Sequence, residues 1–383
     1  AAAAPAGDER AAVTVAEVRR LTQLASVKDG QQLGLKIASN SVYGFCGALN
    51  TGKLFCMAVS ATVTAEGRKA MEIKKAILPQ RFPGITIVYG DTDSVMVKFP
   101  REACPTLERC FALCAQAADF VTEHFAALGQ PYMILEFEKV YRRYVQFAKK
   151  RYIGDKFEPD GENRPVHKGI DAKGVERERK DTLPFVKRVL DDLYDAILNV
   201  PDDPHEALRR FDGHMRALID DAVSIEDLTL RRNLSNKTQG KADTFAWARV
   251  NALRAQREAG SEVAVGGQVE YVMVNGHKDA KTTELAEDPT YAREHGLKLN
   301  RLWYFDHCIA ESAKRVFDVI DGVDASAVIA RVRGELDRER LGIRSMRSFG
   351  AGVSSTTKRL RDVDDVGGLE DEGGEGSEGG ERP

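Results

Sequence analysis

The hexapeptide Tyr-Gly-Asp-Thr-Asp-Ser at residues 89–94 constrains the fold of this chain more than any other segment. It lies between two short runs of β-forming residues, at 85–88 and 95–99. Such runs on both sides of a Gly- and Asp-containing turn predict a tight antiparallel hairpin. The carboxylates of Asp91 and Asp93 would then lie together at the hairpin tip.

Two acids at one turn repel each other, so this arrangement becomes favourable when a divalent cation binds there. Mg²⁺ takes oxygen ligands and bridges carboxylates to phosphate groups. The alternative is a solvated Asp turn, and an Asp-x-Asp sequence considered alone favours this alternative. The turn therefore indicates a metal site only in combination with the rest of the chain.

A second motif, Lys-Ile-Ala-Ser-Asn-Ser-Val-Tyr-Gly, lies upstream at residues 36–44. On a predicted helix, Lys36, Asn40 and Tyr43 fall on one face. These side chains suit a nucleotide, because a lysine pairs with phosphate oxygens and an aromatic ring packs against a base or sugar. A mixed polar stripe on the protein surface is the alternative.

A third motif combines three consecutive cations with an aromatic residue: Lys149, Lys150, Arg151 and Tyr152. It follows a strand-like segment and fits a surface that runs along a phosphate backbone. The alternative is a solvated strand end.

The charge of the chain supports nucleic-acid binding only locally. The formal net charge of the 383 residues is −3. Residues 361–383 contain nine acids and two bases, so the preceding 360 residues carry a net charge of +4. That excess is modest, and a nucleic-acid site must depend on clusters such as residues 149–152.

Other features of the composition exclude some classes of protein. No apolar run approaches the roughly 20 residues that span a bilayer, and the Ala-rich start does not resemble a secretory signal. The six cysteines form no Cys-x-x-Cys pair, which disfavours a zinc ribbon and favours a reducing compartment. The first residue is not Met, which suggests a sequence that begins within a longer protein.

The pattern of elements predicts the α+β class, with an antiparallel sheet backed by helices. The sequence predicts a break at Asp29-Gly30, a helix end at Pro79, and a boundary loop at 154–167. Predicted helices cover 11–29, 31–43, 57–78, 106–127, 183–198, 204–222 and 301–319. Predicted strands outside the hairpin cover 132–137, 141–147 and 268–274.

Together the three motifs resemble the C-terminal part of a family B (alpha-like) DNA polymerase. Residues 36–44 resemble the KxxxNSxYG motif of the fingers, 89–94 the YGDTDS motif of the palm, and 149–152 the KKRY motif. The similarity covers roughly residues 20–350 and is closest to the delta-like branch, which includes polymerases of large DNA viruses. It implies the right-hand polymerase fold, with fingers helices at 1–52, a palm at 53–153, a thumb at 154–350 and a disordered acidic tail at 351–383.

The resemblance also implies roles for single residues. Asp93 would be the palm carboxylate that bridges two Mg²⁺ ions, and Asp91 its less strictly coordinating partner. Lys36 would bind the incoming dNTP triphosphate, with Asn40 and Tyr43 shaping the nucleotide pocket. Primer-template DNA would contact Lys149, Lys150, Arg151, Tyr152, Lys173 and Arg179. Glu138 would lie on a strand near the metals in a structural role.

Two motifs of the family are missing. The chain contains neither the upstream DxxSLYPS motif, which carries the second catalytic Asp, nor the DIE motif of the exonuclease. It also lacks the paired cysteine modules that follow the thumb in the delta branch, which favours a viral relative. We therefore expect a DNA-directed DNA polymerase that is incomplete and inactive without the missing portion.

The expected partners are primer-template DNA, dNTP, the missing N-terminal portion and a sliding-clamp-type processivity factor. We expect no membrane association, and a location in the nucleus or at a viral replication site. The alternative function is a non-catalytic DNA-binding subunit of a split or degenerate polymerase. An RNA-directed polymerase is disfavoured by the NSxYG helix.

Overall fold

The structure is a computed structural model that describes residues 15–49, 54–200, 202–277 and 280–341. The predicted tail at 351–383 lies outside these residues. The helices are α1 (Val15–Gly47), α2 (Met57–Arg81), α3 (Leu107–Ala127), α4 (Pro184–Asn199), α5 (Glu206–Ile219), α6 (Ala246–Arg257), α7 (Pro289–Glu294), α8 (Arg301–Tyr304), α9 (Ala310–Phe317) and α10 (Ser326–Arg340). The strands are β1 (Thr86–Asp91), β2 (Ser94–Lys98), β3 (Val140–Ala148), β4 (Arg151–Pro159), β5 (Pro165–Lys173), β6 (Leu230–Asn233), β7 (Gln268–Met273) and β8 (Ala286–Glu287).

The first two helices pack against each other. The predicted break at Asp29-Gly30 is wrong, because α1 continues through both residues. A single Gly costs a helix about 1 kcal/mol relative to Ala, which the strong helix formers around it outweigh. Likewise α2 passes through Pro79 and ends at Arg81, with Phe82 N–H still bonded to Leu78 O.

The predicted acidic hairpin is confirmed as the antiparallel pair β1–β2. It packs on α2 and α3 through one hydrophobic cluster, to which the helices contribute Ile77, Leu78, Val121 and Phe125. The predicted helix at 106–127 is confirmed by α3, whose N-cap Thr106 accepts a hydrogen bond from Arg109 N–H. This cluster is the first core of the protein, and the hairpin packs on it.

A second antiparallel sheet has the order β3-β4-β5. The predicted loop at 154–167 is wrong, since most of it forms β4 and β5, joined by a turn in which Asp160 binds the backbone N–H groups of Glu162 and Arg164. Residues 166–168 of β5 are exposed, and the strand contains His167, Lys168 and Gly169, so its composition resembles that of a loop.

The predicted strand at 132–137 is also wrong, because this segment pairs with no neighbouring strand. The hydroxyl of Thr122 accepts from Leu135 N–H at 3.0 Å and donates to Leu135 O at 3.3 Å, so a side chain of α3 satisfies this backbone. Met133 and Leu135 pack on the first core.

The remaining chain forms a mainly helical region around a second core. Helices α4, α5, α9 and α10 and the β6-β7-β8 sheet share this core, and Ile153 and Ala172 of the second sheet also belong to it. The predicted helices at 183–198 and 204–222 are confirmed by α4 and α5. The predicted helix at 301–319 is divided, with a π-helical segment, Phe305–Ile309, between α8 and α9. The α+β class is confirmed.

Gly174 joins the second sheet to the helical region and generates a prediction. It has φ +65°, and a Cβ placed there would overlap the carbonyl oxygen of Lys150. Gly169 has φ +80° but open space around it. We expect Gly169→Ala to lower the free energy of unfolding by about 1–2 kcal/mol, from backbone strain alone. Gly174→Ala should lower the free energy of unfolding by more than Gly169→Ala does. Equal losses of stability for the two variants in urea denaturation would contradict the close approach of Gly174 to the Lys150 carbonyl oxygen.

Candidate active site

The tip of the β1–β2 hairpin carries both predicted acids. Asp91 pairs with Ser94, and Thr92 and Asp93 form the two-residue loop between them, with φ +56° at Thr92. The Thr92 hydroxyl donates to Asp91 Oδ1 at 3.2 Å, and the Ser94 hydroxyl donates to Asp91 O at 3.0 Å. The structure therefore presents the two carboxylates at one turn, as the sequence predicts.

The basic motif forms a second hairpin tip that contacts the first. Lys149 and Lys150 are the two-residue turn between β3 and β4, and Lys150 has φ +65°. Its backbone N–H donates to the Tyr89 hydroxyl at 3.0 Å. Its ammonium lies 3.3 Å from Asp91 Oδ1. The acidic and the basic turn are thus joined by one residue, Lys150.

Four tyrosines cluster beside this contact. Tyr152 lies at the centre, with ring centroids 6.3 Å from Tyr89, 6.2 Å from Tyr141 and 5.4 Å from Tyr144. The Tyr141 hydroxyl donates to Asp171 Oδ2 at 2.6 Å. Burial raises the pKa of Tyr141, and it raises the pKa of Tyr144 to about 12. Both phenols therefore stay protonated at neutral pH.

The buried Asp171 links the tyrosines to two lysines. Lys173 lies 3.2 Å and Lys139 3.5 Å from its carboxylate. Burial acts to raise the pKa of Asp171, but the hydrogen bonds from Tyr141 and Lys173 and the lysine charges outweigh it, so the pKa lies below its usual value. Lys173 also pairs in register with Tyr152 across β4 and β5. The predicted DNA-contact residue Lys173 therefore lies near the basic turn.

Arg151 and Arg179 have different surroundings. One oxygen of Glu176 lies 3.8 Å from Arg151 and 3.0 Å from Arg315 of α9, so this carboxylate connects the basic motif to the helical region. Arg179 is exposed, and its side chain has no ion-pair partner among the described residues. Sequence reasoning missed Glu176, because its importance depends on a partner far along the chain.

The predicted nucleotide-binding residues all lie on the first long helix. Lys36, Asn40 and Tyr43 are exposed on α1. Within the described ranges, no hydrogen bond or ion pair joins them to Asp91 or Asp93. Their common helical face is confirmed by the unbroken α1, whereas their roles stay predictions.

The prediction that Glu138 lies on a strand is wrong, because β3 begins two residues after it. Its largely exposed carboxylate pairs with Lys139 at 3.0 Å. This contact fits a structural role.

Lys74 is a second residue that the sequence analysis missed. Lys74 of α2 is only 4% exposed, and its ammonium donates to Asp93 O at 2.5 Å. Burial lowers the pKa of Lys74, while the negative charge of Asp93 opposes that shift. The available signal was helical periodicity, since Lys74 lies on the face of α2 that also carries Ala70, Ile77 and Leu78.

The donor set at the acidic turn fits a hard cation only in part. Asp91 and Asp93 offer the carboxylate oxygens that Mg²⁺ prefers. The described parts of the chain contain no cluster of three or more His, Cys, Asp or Glu side chains able to hold a metal. No described helix is both long and apolar enough to cross a membrane.

The α+β fold with its acid-tipped hairpin has a counterpart among solved structures. The structure resembles that of the family B DNA polymerase from the archaeon Pyrobaculum calidifontis, with a TM-score of 0.52 and 22% identity over 81% of this chain and 37% of that one. The sequence matches the profile of DNA polymerase family B over residues 14–320. The chain belongs to this family.

Its relatives include delta-type and viral enzymes. It is 35% identical to the DNA polymerase delta catalytic subunit of Caenorhabditis elegans over 343 residues, 87% of this chain and 30% of that protein. It is 34% identical to a DNA polymerase of Paramecium bursaria Chlorella virus NY2A, over 76% of this chain and 31% of that protein. The chain thus spans less than a third of the length of these relatives.

The two tyrosine hydroxyls next to the basic turn generate a prediction. Tyr141→Phe removes a donor from the buried Asp171 and should lower the free energy of unfolding by about 1–3 kcal/mol at pH 7. The hydrogen bond favours ionised Asp171, so the difference from wild type should narrow as the pH falls through the folded pKa, below 3.8.

Tyr144→Phe is the matched control, because the Tyr144 hydroxyl donates to the half-buried Gln146 at 3.2 Å and not to a buried acid. It should cost less than about 1 kcal/mol. Chemical denaturation of both variants between pH 3 and 7 measures the difference. Equal losses at every pH would show that the Tyr141–Asp171 bond has no special role.

Proposed function

We propose that this protein is the catalytic part of a DNA-directed DNA polymerase that adds dNMP to a primer 3′-hydroxyl. One observation carries the proposal: the family's acidic turn and its basic turn meet through Lys150 in a member of DNA polymerase family B. A metal-binding carboxylate pair next to a phosphate-binding surface is what nucleotidyl transfer needs.

Mg²⁺ would bind at the acidic turn through Asp93 and Asp91. Bound there, it would neutralise charge that develops on the phosphates. The Thr92 hydroxyl and the Lys150 ammonium hold the Asp91 carboxylate in place. The remaining acid that a two-metal site requires would come from outside the described residues, in the portion that the longer relatives contain.

Primer-template DNA would lie across the basic turn. Lys149, Lys150 and Arg151 would contact its phosphates, and Lys173 and Arg179 would extend this surface. Tyr152, held among three other tyrosines, would give the surface a rigid, apolar centre. Lys150 has a special position, because the same ammonium contacts Asp91 and borders the proposed DNA path.

The incoming dNTP would be bound by α1, with Lys36 on the triphosphate and Asn40 and Tyr43 around the base and sugar. The exposure of these side chains supports a binding role, because an exposed side chain is accessible to a nucleotide. In this assignment residues 1–52 are fingers, 53–153 palm and 154–350 thumb. The similarity to delta-type and viral polymerases supports a nuclear or viral replication role, with a sliding clamp as a further partner.

A primer-extension assay tests the proposal. The protein is joined to the upstream portion of the Chlorella virus relative and given primer-template, dNTPs and Mg²⁺. We expect Asp93→Asn to lower the extension rate by about 10³-fold, because loss of a metal ligand removes several kcal/mol of transition-state stabilisation. Asp91→Asn should give a smaller loss.

Asp119→Asn is the control, since Asp119 is an exposed acid on α3. It should leave the rate unchanged. The chain without the upstream portion should bind primer-template but not extend it. Extension that does not depend on Asp93 would contradict the proposed function. Asp93-dependent extension by the chain alone would contradict the need for a further acid.

A further inference from the structure

We propose that Lys74 is a positioning residue for the acidic turn, and that its ammonium fixes the Asp93 carboxylate by binding the Asp93 backbone carbonyl. The proposal rests on the function proposed above. Lys74 touches neither substrate nor metal in this scheme. It acts through the backbone of the residue that would hold Mg²⁺.

The burial of Lys74 is the first observation. Among the described residues Lys74 is the only buried Lys or Arg, with a relative exposure of 4%. A lysine is almost never fully buried unless its charge is compensated. No carboxylate lies within ion-pair distance of Lys74 in the described part of the chain; its hydrogen-bond partner is Asp93 O, at 2.5 Å. Packing alone therefore does not explain a buried cation at this position of α2.

The second observation is how the two acids are held. The Asp91 side chain is fixed by Thr92 and Lys150, and the backbone at Asp91 is fixed by its strand pairing with Ser94. Asp93 lies in the loop between the strands, outside that pairing. The bond from Lys74 is therefore the link that ties the loop to the body of the protein.

The third observation is the close contact between α2 and the hairpin. Met71 lies one helical turn before Lys74, and a Cβ added to Gly90 would lie 2.6 Å from Met71 Cε. Met71 and Lys74 thus contact the hairpin on either side of Asp91. A lysine stem is long enough to reach the tip from the helix, and its ammonium makes a stronger bond to a carbonyl than a neutral donor does.

The functional consequence follows from the position of Asp93. A carboxylate on a loop residue takes its direction from the loop backbone, and Mg²⁺ tolerates little deviation from octahedral geometry. If the anchor is lost, the turn should fluctuate and the Mg²⁺ requirement should rise. DNA binding should not change, because the basic turn keeps all of its contacts.

The test compares Lys74→Met with Lys75→Met in the full chain joined to the upstream portion. Lys75 is the adjacent, half-exposed lysine, and it pairs with Glu72 at 2.8 Å. We expect Lys74→Met to accelerate amide hydrogen exchange in residues 91–95 about tenfold, the size expected for one lost charged hydrogen bond. It should raise the Mg²⁺ concentration for half-maximal extension and lower kcat by about the same factor, with primer-template affinity unchanged. Lys75→Met should match wild type in all four measurements.

Two further variants keep the inference falsifiable. Lys74→Arg retains a charged donor and should restore most of the exchange protection. Lys74→Gln is too short to reach the carbonyl, and it replaces Lys74→Met in every comparison if the latter does not fold.

Normal exchange and a normal Mg²⁺ requirement in the folded variant would overturn the inference while leaving the proposed function intact. A wild-type protein without Asp93-dependent extension would overturn the proposed function. Hydrogen exchange alone would then decide whether Lys74 anchors the turn.

Discussion

The contact between two hairpin tips is the interaction on which the candidate site depends. Each tip is a two-residue turn, one ending in acid and the other in base. Lys150 joins them twice, through its backbone to Tyr89 and through its ammonium to Asp91. An exposed ion pair of this kind contributes only about 0–1 kcal/mol. The contact therefore does not hold the fold together, and a metal ion or a phosphate can replace either partner at small cost.

The stability of the site comes from the two cores beneath it. The first core lies under the acidic hairpin and the second under the basic sheet. Phe111 of α3 packs edge-on against Phe137, 5.0 Å away, just before β3 begins. The packed cores support the two turns and leave the charged groups exchangeable, which is consistent with the proposed binding of Mg²⁺ and nucleic acid.

The features that could be predicted from the sequence are local ones. The acidic turn follows from a few residues between two β-forming runs, and the predicted helix at 106–127 matches α3. The turn at Lys149 and Lys150 was not predicted, because the strand that follows it has the composition of a loop. The failures also have local causes. The predicted break at Asp29-Gly30 overestimated the cost of one glycine in a helix. The predicted loop at 154–167 is a hairpin whose second strand is exposed at 166–168. In both cases the composition of the segment is typical of a boundary, but the surrounding structure determines its conformation.

The contacts that assemble the site could not be predicted, because they join residues that are distant in sequence. Lys74 reaches Asp93 from a helix, Glu176 connects Arg151 to α9, and Tyr89 binds the backbone of Lys150. Turn chemistry does not encode these partners. The sequence does contain a signal for Lys74, which is a cation on an apolar helix face. It contains none for the Tyr89–Lys150 bond.

Hydrogen exchange at the Lys150 amide tests the contact of the two tips most directly. Exchange is read at single-residue resolution in wild type, in Tyr89→Phe and in Tyr144→Phe, whose lost hydroxyl lies elsewhere in the same cluster. The account predicts that the Lys150 amide is protected in wild type and in Tyr144→Phe, and that it exchanges about tenfold faster in Tyr89→Phe. Equal exchange of this amide in all three proteins would show that the bond between Lys150 N–H and Tyr89 does not join the acidic and basic turns.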